Sequence, residues 1–203
     1  MKLKIFVAIY FFLLFSVLIP GTQEKTIRDD LGFPFALRTA PQRIVSLAPN
    51  ITEILFALGL ERRIVGVTRY CDFPPEAEKK EKIGGMLDPD LEKIKALNPD
   101  LVISFRGNPL RTIEKLRSLG FPVFVLDMGK DLGSVYQIIE KIGRITKRED
   151  SAAGLSAGLR KKEQFISAAL QSADRSPKVF LLLPGEGLWT CGRESYLHDL
   201  LLR

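Results

Sequence analysis

The stretch RIVSLAPNITEILFALGLERRIVGV, Arg43 to Val67, decides the fold. Its two ends are short apolar runs, and they predict buried strands at Arg43–Leu47 and Arg63–Val67. Between them, apolar residues recur at helical spacing, which predicts a helix. A helix is too long a connection for a hairpin, so the two strands are expected to run parallel in one sheet.

The predicted helix has sequence markers at both ends. Asn50 can cap its free N–H groups, and Glu53, three residues later, completes the pattern of a capping box. Gly59 stands where helices commonly end with a left-handed residue. The helix is therefore predicted to begin at Asn50 and to end just before Gly59.

The alternation of helix and strand continues to residue 146. The predicted elements are a helix at Leu91–Leu97 capped by Asp88 or Asp90, a strand at Asp100–Phe105, a helix at Pro109–Gly120, a strand at Phe121–Asp127 and a helix at Leu132–Thr146. Such alternation predicts an α/β fold with a mostly parallel sheet covered by helices on both faces. Ligands of these sheets bind beyond the carboxyl ends of the strands.

Two loops directly follow predicted strands and are expected at that ligand-binding edge. RYCDFPP, Arg69 to Pro75, follows the second strand, and RGNP, Arg106 to Pro109, follows the third. The first loop combines two aromatic side chains with two prolines, which stiffen the backbone. We expect the prolines to hold Tyr70 toward a ligand cleft and Phe73 to support it by packing.

The pattern changes after Thr146. A long helical pattern without an intervening strand follows, although Gly154 and Gly158 weaken it by about 1 kcal/mol each relative to alanine. A new strand is predicted at Lys178–Pro184. We expect two parallel-sheet lobes joined by a long rigid helix, with the second lobe truncated in this chain.

The N-terminus has the layout of a secretory signal peptide. A basic start precedes an apolar stretch of 15 residues, Ile5 to Ile19, and Pro20 and Gly21 break the helical pattern. Spanning a bilayer takes about 20 apolar residues, so a retained anchor is the less favoured alternative. We therefore expect a periplasmic or secreted protein. The predicted domains are a signal peptide (1–21), an N-terminal extension (22–42), an N-terminal α/β ligand-binding lobe (43–147), an interlobe backbone helix (148–174) and the start of a C-terminal α/β lobe (175–203).

Composition argues against several classes of function. The net charge is +6, but Lys and Arg alternate with Asp and Glu as on solvated helix faces, so no nucleic-acid partner is expected. His198 is the single histidine, and we expect neither a metal site nor a catalytic nucleophile with its base. The cysteines are Cys71 and Cys191; whether they form a disulfide stays open.

The order of these motifs resembles that of the helical-backbone periplasmic binding proteins, which deliver cobalamin, ferric siderophores or heme to ABC importers. The resemblance runs from Thr26 to Arg203 and is carried by RIVSLAPNITEILFALGLERRIVGVTRYCDFPPEA, DLEKIKALNPDLVIS, TIEKLRSLGFPVFVLD and LLLPGEGLWTCGRESYLHDLL. The pattern Tyr-x-Asp-aromatic-Pro-Pro, from Tyr70 to Pro75, is similar to the loop of the cobalamin-binding members. The resemblance implies two α/β lobes that hold a ligand between them and no enzyme activity.

The resemblance also implies which residues contact the ligand. Tyr70 lies where the cobalamin-binding members have a ligand-contacting tyrosine, and a tyrosine offers a flat apolar face and a hydroxyl. Phe105 and Met86 lie where those members have tryptophans, and Trp189 is expected to face the cleft from the second lobe. The expected ligand contacts are Tyr70, Met86, Phe105, Arg106, Gly107 and Trp189.

The partners follow from the same resemblance. Glu92 corresponds to a glutamate that docks on an arginine of the membrane permease, and such pairs are bidentate and orienting. The expected partners are an ABC importer permease and ATPase complex, a large metal-chelate ligand and no resident cofactor, with the protein as a monomer. Arg69 and Arg106 are the candidates for holding an anionic siderophore. Alternatives from other classes are an exported α/β hydrolase-like enzyme and a membrane-anchored interaction protein.

Overall fold

The computed structural model describes residues 26–36, 39–171, 177–183 and 185–202. The predicted signal peptide, residues 1–21, lies outside this described part of the chain. In the described part, no helix is both long and apolar enough to cross a bilayer.

The main sheet has four parallel strands in the order β4-β3-β5-β6. The strands are β1 (Ile27–Arg28), β2 (Pro34–Phe35), β3 (Ile44–Ser46), β4 (Ile64–Val67), β5 (Leu101–Phe105) and β6 (Val123–Leu126). The helices are α1 (Pro49–Ala57), α2 (Leu91–Ala96), α3 (Leu110–Ser118), α4 (Leu132–Thr146), α5 (Glu149–Gln171) and α6 (Tyr196–Leu202). The predicted α/β fold with a parallel sheet is confirmed.

Helices cover both faces of the sheet, and each face has its own apolar core. On one face, Ile44, Ile103 and Phe124 pack with α1 and α4. On the other face, Val45 and Val102 pack with α2 and α3. Successive strand residues point to opposite faces, so neighbours such as Ile44 and Val45 belong to different cores.

The first helix begins two residues earlier than the predicted capping box requires. Its N-cap is Ala48, Pro49 occupies the first turn, and no side chain caps it. Proline suits the first helical position because its φ is already helical and its missing N–H is not needed there. Asn50 therefore lies inside the helix, and the predicted Asn50–Glu53 box is wrong. Gly59, with φ of 70°, ends the helix region as predicted.

Residues 27–35 form a small antiparallel hairpin, β1–β2, which the sequence did not predict. It packs on the sheet through Phe35, which is buried and lies edge-to-face on Phe124 at 5.2 Å. Asp29, whose side chain is 1% exposed, forms an ion pair with Arg117 of α3. Its Oδ1 accepts hydrogen bonds from two turn N–H groups at 2.9 and 3.0 Å. The hairpin is thus integrated into the N-terminal lobe.

The long helix after the sheet is present as expected, with 23 residues in α5. Tyr136 of α4 donates a hydrogen bond to Glu163 of α5 at 2.6 Å, which ties α5 to the lobe. The strand predicted at Lys178–Pro184 does not form in the described residues. Leu183 makes only an isolated bridge with Trp189 there. A strand needs a neighbour for its N–H and C=O groups, and the described residues offer none beyond this bridge.

Candidate functional site

The carboxyl edge of the sheet gathers loops that follow β3, β4, β5 and β6, because parallel strands end at the same edge. The loop after β4 carries Tyr70 and Phe73, which are 52% and 62% exposed. Both rings lie open to solvent, so Phe73 is not buried support for Tyr70. Arg69 lies over the Tyr70 ring, with its Cζ 5.8 Å from the ring centre. The edge therefore presents two aromatic surfaces that a flat ligand could cover.

Cys71 anchors this loop to the protein interior. Its side chain is buried, and its Sγ lies 3.2 Å from Thr52 Oγ1 and 3.1 Å from Thr68 Oγ1. The Cys71 carbonyl accepts a hydrogen bond from Lys82 Nζ at 2.7 Å. Cys71 and Cys191 are both free thiols. The buried cysteine holds the backbone while Tyr70, its neighbour, points outward.

A second segment, residues 83–90, lies beside the Tyr70 loop. The Arg69 N–H donates to the Gly84 carbonyl at 2.8 Å, and the Arg69 guanidinium pairs with Asp88. Met86 is partly buried and packs against the core on the α1 side of the sheet. This segment brings Met86 to the same edge as Tyr70, and its ligand contact stays a prediction.

Phe105 is the last residue of β5, and the loop after it holds Arg106 and Gly107. Phe105 is partly buried, and its ring lies against Gly107, where an added Cβ would come within 2.1 Å of the ring. Arg106 pairs with Asp127, after β6, at 3.3 Å. Packing against the Phe105 ring is therefore enough to explain a glycine at position 107. Contact between Gly107 and the ligand stays a prediction.

A cavity of about 740 Å³ opens at this edge, beside these loops. Its walls come from α1, the loop after β6, the first turn of α4 and the segment just before and into α6. The lining residues are Asn50, Glu53, Ile54, Asp127, Met128, Gly129, Lys130, Val135, Glu194, Ser195, Tyr196 and Leu197. The volume suits a ligand of drug size or larger. The expected contact residues lie outside this lining, and Arg106 reaches it through its ion pair with Asp127.

Glu53 lines the cavity and interacts electrostatically with Asp72 of the Tyr70 loop. Burial against the cavity wall raises the pKa of Glu53, and the Asp72 carboxylate, a like charge, raises it further. Both effects disfavour the charged form of the carboxyl group. Glu53 is thus a site residue that the sequence presented only as half of a capping box.

Glu92 and Trp189 lie away from this cavity. Glu92 is in the first turn of α2, exposed, and its backbone N–H donates to the cap residue Asp90 at 3.1 Å. Trp189 is 60% exposed, and its Nε1–H donates to the Glu186 carbonyl at 2.6 Å. Its predicted position facing the ligand stays a prediction.

The search for metal-ligating side chains covers the part of the chain that the structure describes. There, no three His, Cys, Asp or Glu side chains are grouped to hold a metal ion. His198 lies on α6, where its backbone N–H donates to Ser195. The described residues at the carboxyl edge are suited to enclosing a ligand.

Asn108 was missed as a site residue. It is 4% exposed and bonds to segments on both sides of the β5 loop. The sequence contains a marker for this role. An asparagine directly before a proline at a strand–helix junction is typical of a turn in which the asparagine side chain bonds to the backbone.

Comparison with known proteins identifies the family. The family model described as periplasmic binding protein matches residues 44–202. The chain therefore belongs to the periplasmic binding protein family. Its relatives include substrate-binding components of ABC transporters.

Three relatives are informative. A vitamin B12-binding protein of Photorhabdus laumondii is 30% identical over 84% of this chain and 62% of its own length. An uncharacterized ABC transporter substrate-binding lipoprotein of Bacillus subtilis, YvrC, is 31% identical over 87% of this chain and 58% of its own. The periplasmic heme-binding protein RhuT of Roseiflexus is 27% identical with a TM-score of 0.72, over 79% of this chain and 63% of that structure. The chain thus spans about three fifths of the length of each of these three relatives.

Proposed function

We propose that this protein is an extracytoplasmic solute-binding protein that captures cobalamin, or a related metal chelate, at the carboxyl edge of its sheet. The observation that carries this proposal is the exposed Tyr70 ring, held by the buried Cys71 beside a cavity of about 740 Å³. Membership of the periplasmic binding protein family supports it, and so does the similarity to a vitamin B12-binding protein.

Binding would use surfaces that already exist. Tyr70 offers its flat face to a corrin ring and its hydroxyl to the amide groups around that ring. Met86 and Phe105 are partly buried at the same edge and would add apolar contact. Trp189 would close the ligand from the segment before α6. Because the Tyr70 loop is anchored before the ligand arrives, little ordering would be needed on binding.

Delivery would require an ABC importer permease with its ATPase. Glu92 is exposed in the first turn of α2 and enters no ion pair among the described residues. A free carboxylate on a rigid helix can accept a bidentate bond from a permease arginine. Capture and delivery without chemical change would agree with family members that are transport proteins. A hydrolase has no support from these relatives, which are named as binding or substrate-binding proteins.

A heme or ferric siderophore is the second candidate, favoured by the similarity to a heme-binding protein. Tyr70 could ligate the iron of heme. Anionic siderophores would need free cations, but Arg69 is paired with Asp88 and Arg106 with Asp127. These pairs offset the positive charge at the edge, which favours a neutral ligand such as cobalamin over an anionic chelate.

The test is a titration of the protein with cyanocobalamin, hemin and a ferric siderophore, followed by fluorescence of Trp189, the single tryptophan. Absorption by the ligand is corrected with free N-acetyltryptophanamide. We expect saturable quenching with cyanocobalamin, and calorimetry on the unmodified protein measures binding independently of the fluorescence signal. If cyanocobalamin produces neither quenching nor heat, it is eliminated as the ligand. Saturation with hemin alone would establish the second candidate.

A further inference from the structure

Asn108, in the loop after β5, uses every part of its side-chain amide. Its Nδ2 donates to the carbonyl oxygens of Leu47 at 3.1 Å and Met86 at 2.8 Å. Its Oδ1 accepts from Ser104 Oγ at 2.8 Å and from the Phe105 N–H at 3.0 Å. The amide orientation is fixed, because carbonyl oxygens only accept and a backbone N–H only donates.

Two of these bonds are local and two reach other segments. The bond to the Phe105 N–H belongs to the turn that also joins the Asn108 N–H to the Phe105 carbonyl at 2.9 Å. The bonds to Leu47 and Met86 cross 61 and 22 residues of chain. Leu47 directly follows β3, and Met86 lies beside the Tyr70 loop. The turn itself does not require these two longer bonds.

We propose that Asn108 is the positioning residue of the ligand-binding edge. It holds the Met86 segment and the end of β3 to the loop after β5, and so sets the distance between Met86 and Phe105. This inference rests on the proposed function, in which both side chains contact the ligand. At 4% exposure Asn108 is shielded from solvent, so its effect on ligand passes through the segments that it joins.

The replacement Asn108→Asp separates the two kinds of bond. A carboxylate keeps the acceptor for the Phe105 N–H but cannot donate to Leu47 or Met86. Asp100→Ala is the control: Asp100 directly precedes β5 and accepts from the N–H groups of Gln42 and Arg43 at 2.7 and 2.8 Å. It also joins loops across the sheet, but at the opposite edge.

Cyanocobalamin affinity is measured by equilibrium dialysis, under conditions where circular dichroism shows every variant folded. We expect about tenfold weaker binding for Asn108→Asp, since two hydrogen bonds that hold the site are lost, and unchanged binding for Asp100→Ala. Equal affinity of Asn108→Asp and the unmodified protein, or equal weakening in the control, would overturn the inference.

Hydrogen–deuterium exchange tests the same inference without a ligand. Asn108→Asp is expected to speed amide exchange in residues 84–88, and Asp100→Ala is not. If cyanocobalamin fails to bind the unmodified protein, the ligand proposal fails while this exchange measurement still decides the role of Asn108. Unchanged exchange in residues 84–88 would overturn it.

Discussion

Replacing Gly107 with alanine tests the packing at the ligand-binding edge. The added Cβ would lie 2.1 Å from Phe105 Cε2 and 2.4 Å from Cζ, against ordinary contacts of 3.4 Å or more. The ring must therefore move by over an ångström, or the loop must shift. Overpacking of this kind costs about 1–3 kcal/mol. We expect Gly107→Ala to destabilise the protein by about 2 kcal/mol.

Urea denaturation measures this cost. With a slope of about 1–3 kcal/mol per molar urea, the midpoint should fall by roughly 1 M. In the Phe105→Ala background the clash disappears, so adding Gly107→Ala there should cost almost nothing. Gly154→Ala is the control, because nothing lies within 4 Å of its added Cβ, and it should stabilise α5 by about 1 kcal/mol. An equal cost of Gly107→Ala with and without the Phe105 ring would refute this reasoning.

Further predictions concern the cavity, the hairpin and the aromatic edge. Because burial and Asp72 raise the pKa of Glu53, its ionisation destabilises the fold as pH rises above the unfolded pKa of about 4.3. Glu53→Gln should therefore melt higher than the unmodified protein at pH 7, with the difference vanishing below about pH 4. Asp29→Ala breaks its buried pair with Arg117 and should cost about 3 kcal/mol in urea denaturation. Tyr70→Ala, at an exposed position, should change stability by under about 0.5 kcal/mol. It should nevertheless weaken cyanocobalamin binding about tenfold in calorimetry.

The sequence predicts the sheet because its strands are continuous apolar runs separated by amphipathic helices. The α4 bounds, Leu132–Thr146, agree with the prediction residue for residue. The start of α1 was missed because Pro49 competes with Asn50 for the first turn, and local rules rank both as good helix starters. The β1–β2 hairpin has two residues per strand and is held by the distant Phe124 and Arg117, which a local pattern cannot show.

The candidate site was predictable only in part. Strand order and loop position place Tyr70 and Arg106 at the carboxyl edge, because that rule needs topology alone. The positive charges of Arg69 and Arg106 are offset by the carboxylates of Asp88 and Asp127, which lie 19 and 21 residues further along the chain. A local sequence pattern does not show these pairs. The strand predicted at Lys178–Pro184 also depends on distant residues. An apolar run forms a strand only where a neighbouring strand can pair with it.

The most direct test of the account locates the ligand on the protein. Hydrogen–deuterium exchange is compared with and without saturating cyanocobalamin across the described residues. We predict slower exchange in residues 69–75, 84–88 and 105–109, and unchanged exchange at the far end of α4, where a basic cavity of about 750 Å³ is lined by Arg28, Lys141, Arg144 and Lys147. Binding without protection of the three loops, or protection confined to that basic cavity, would contradict a ligand site at the carboxyl edge.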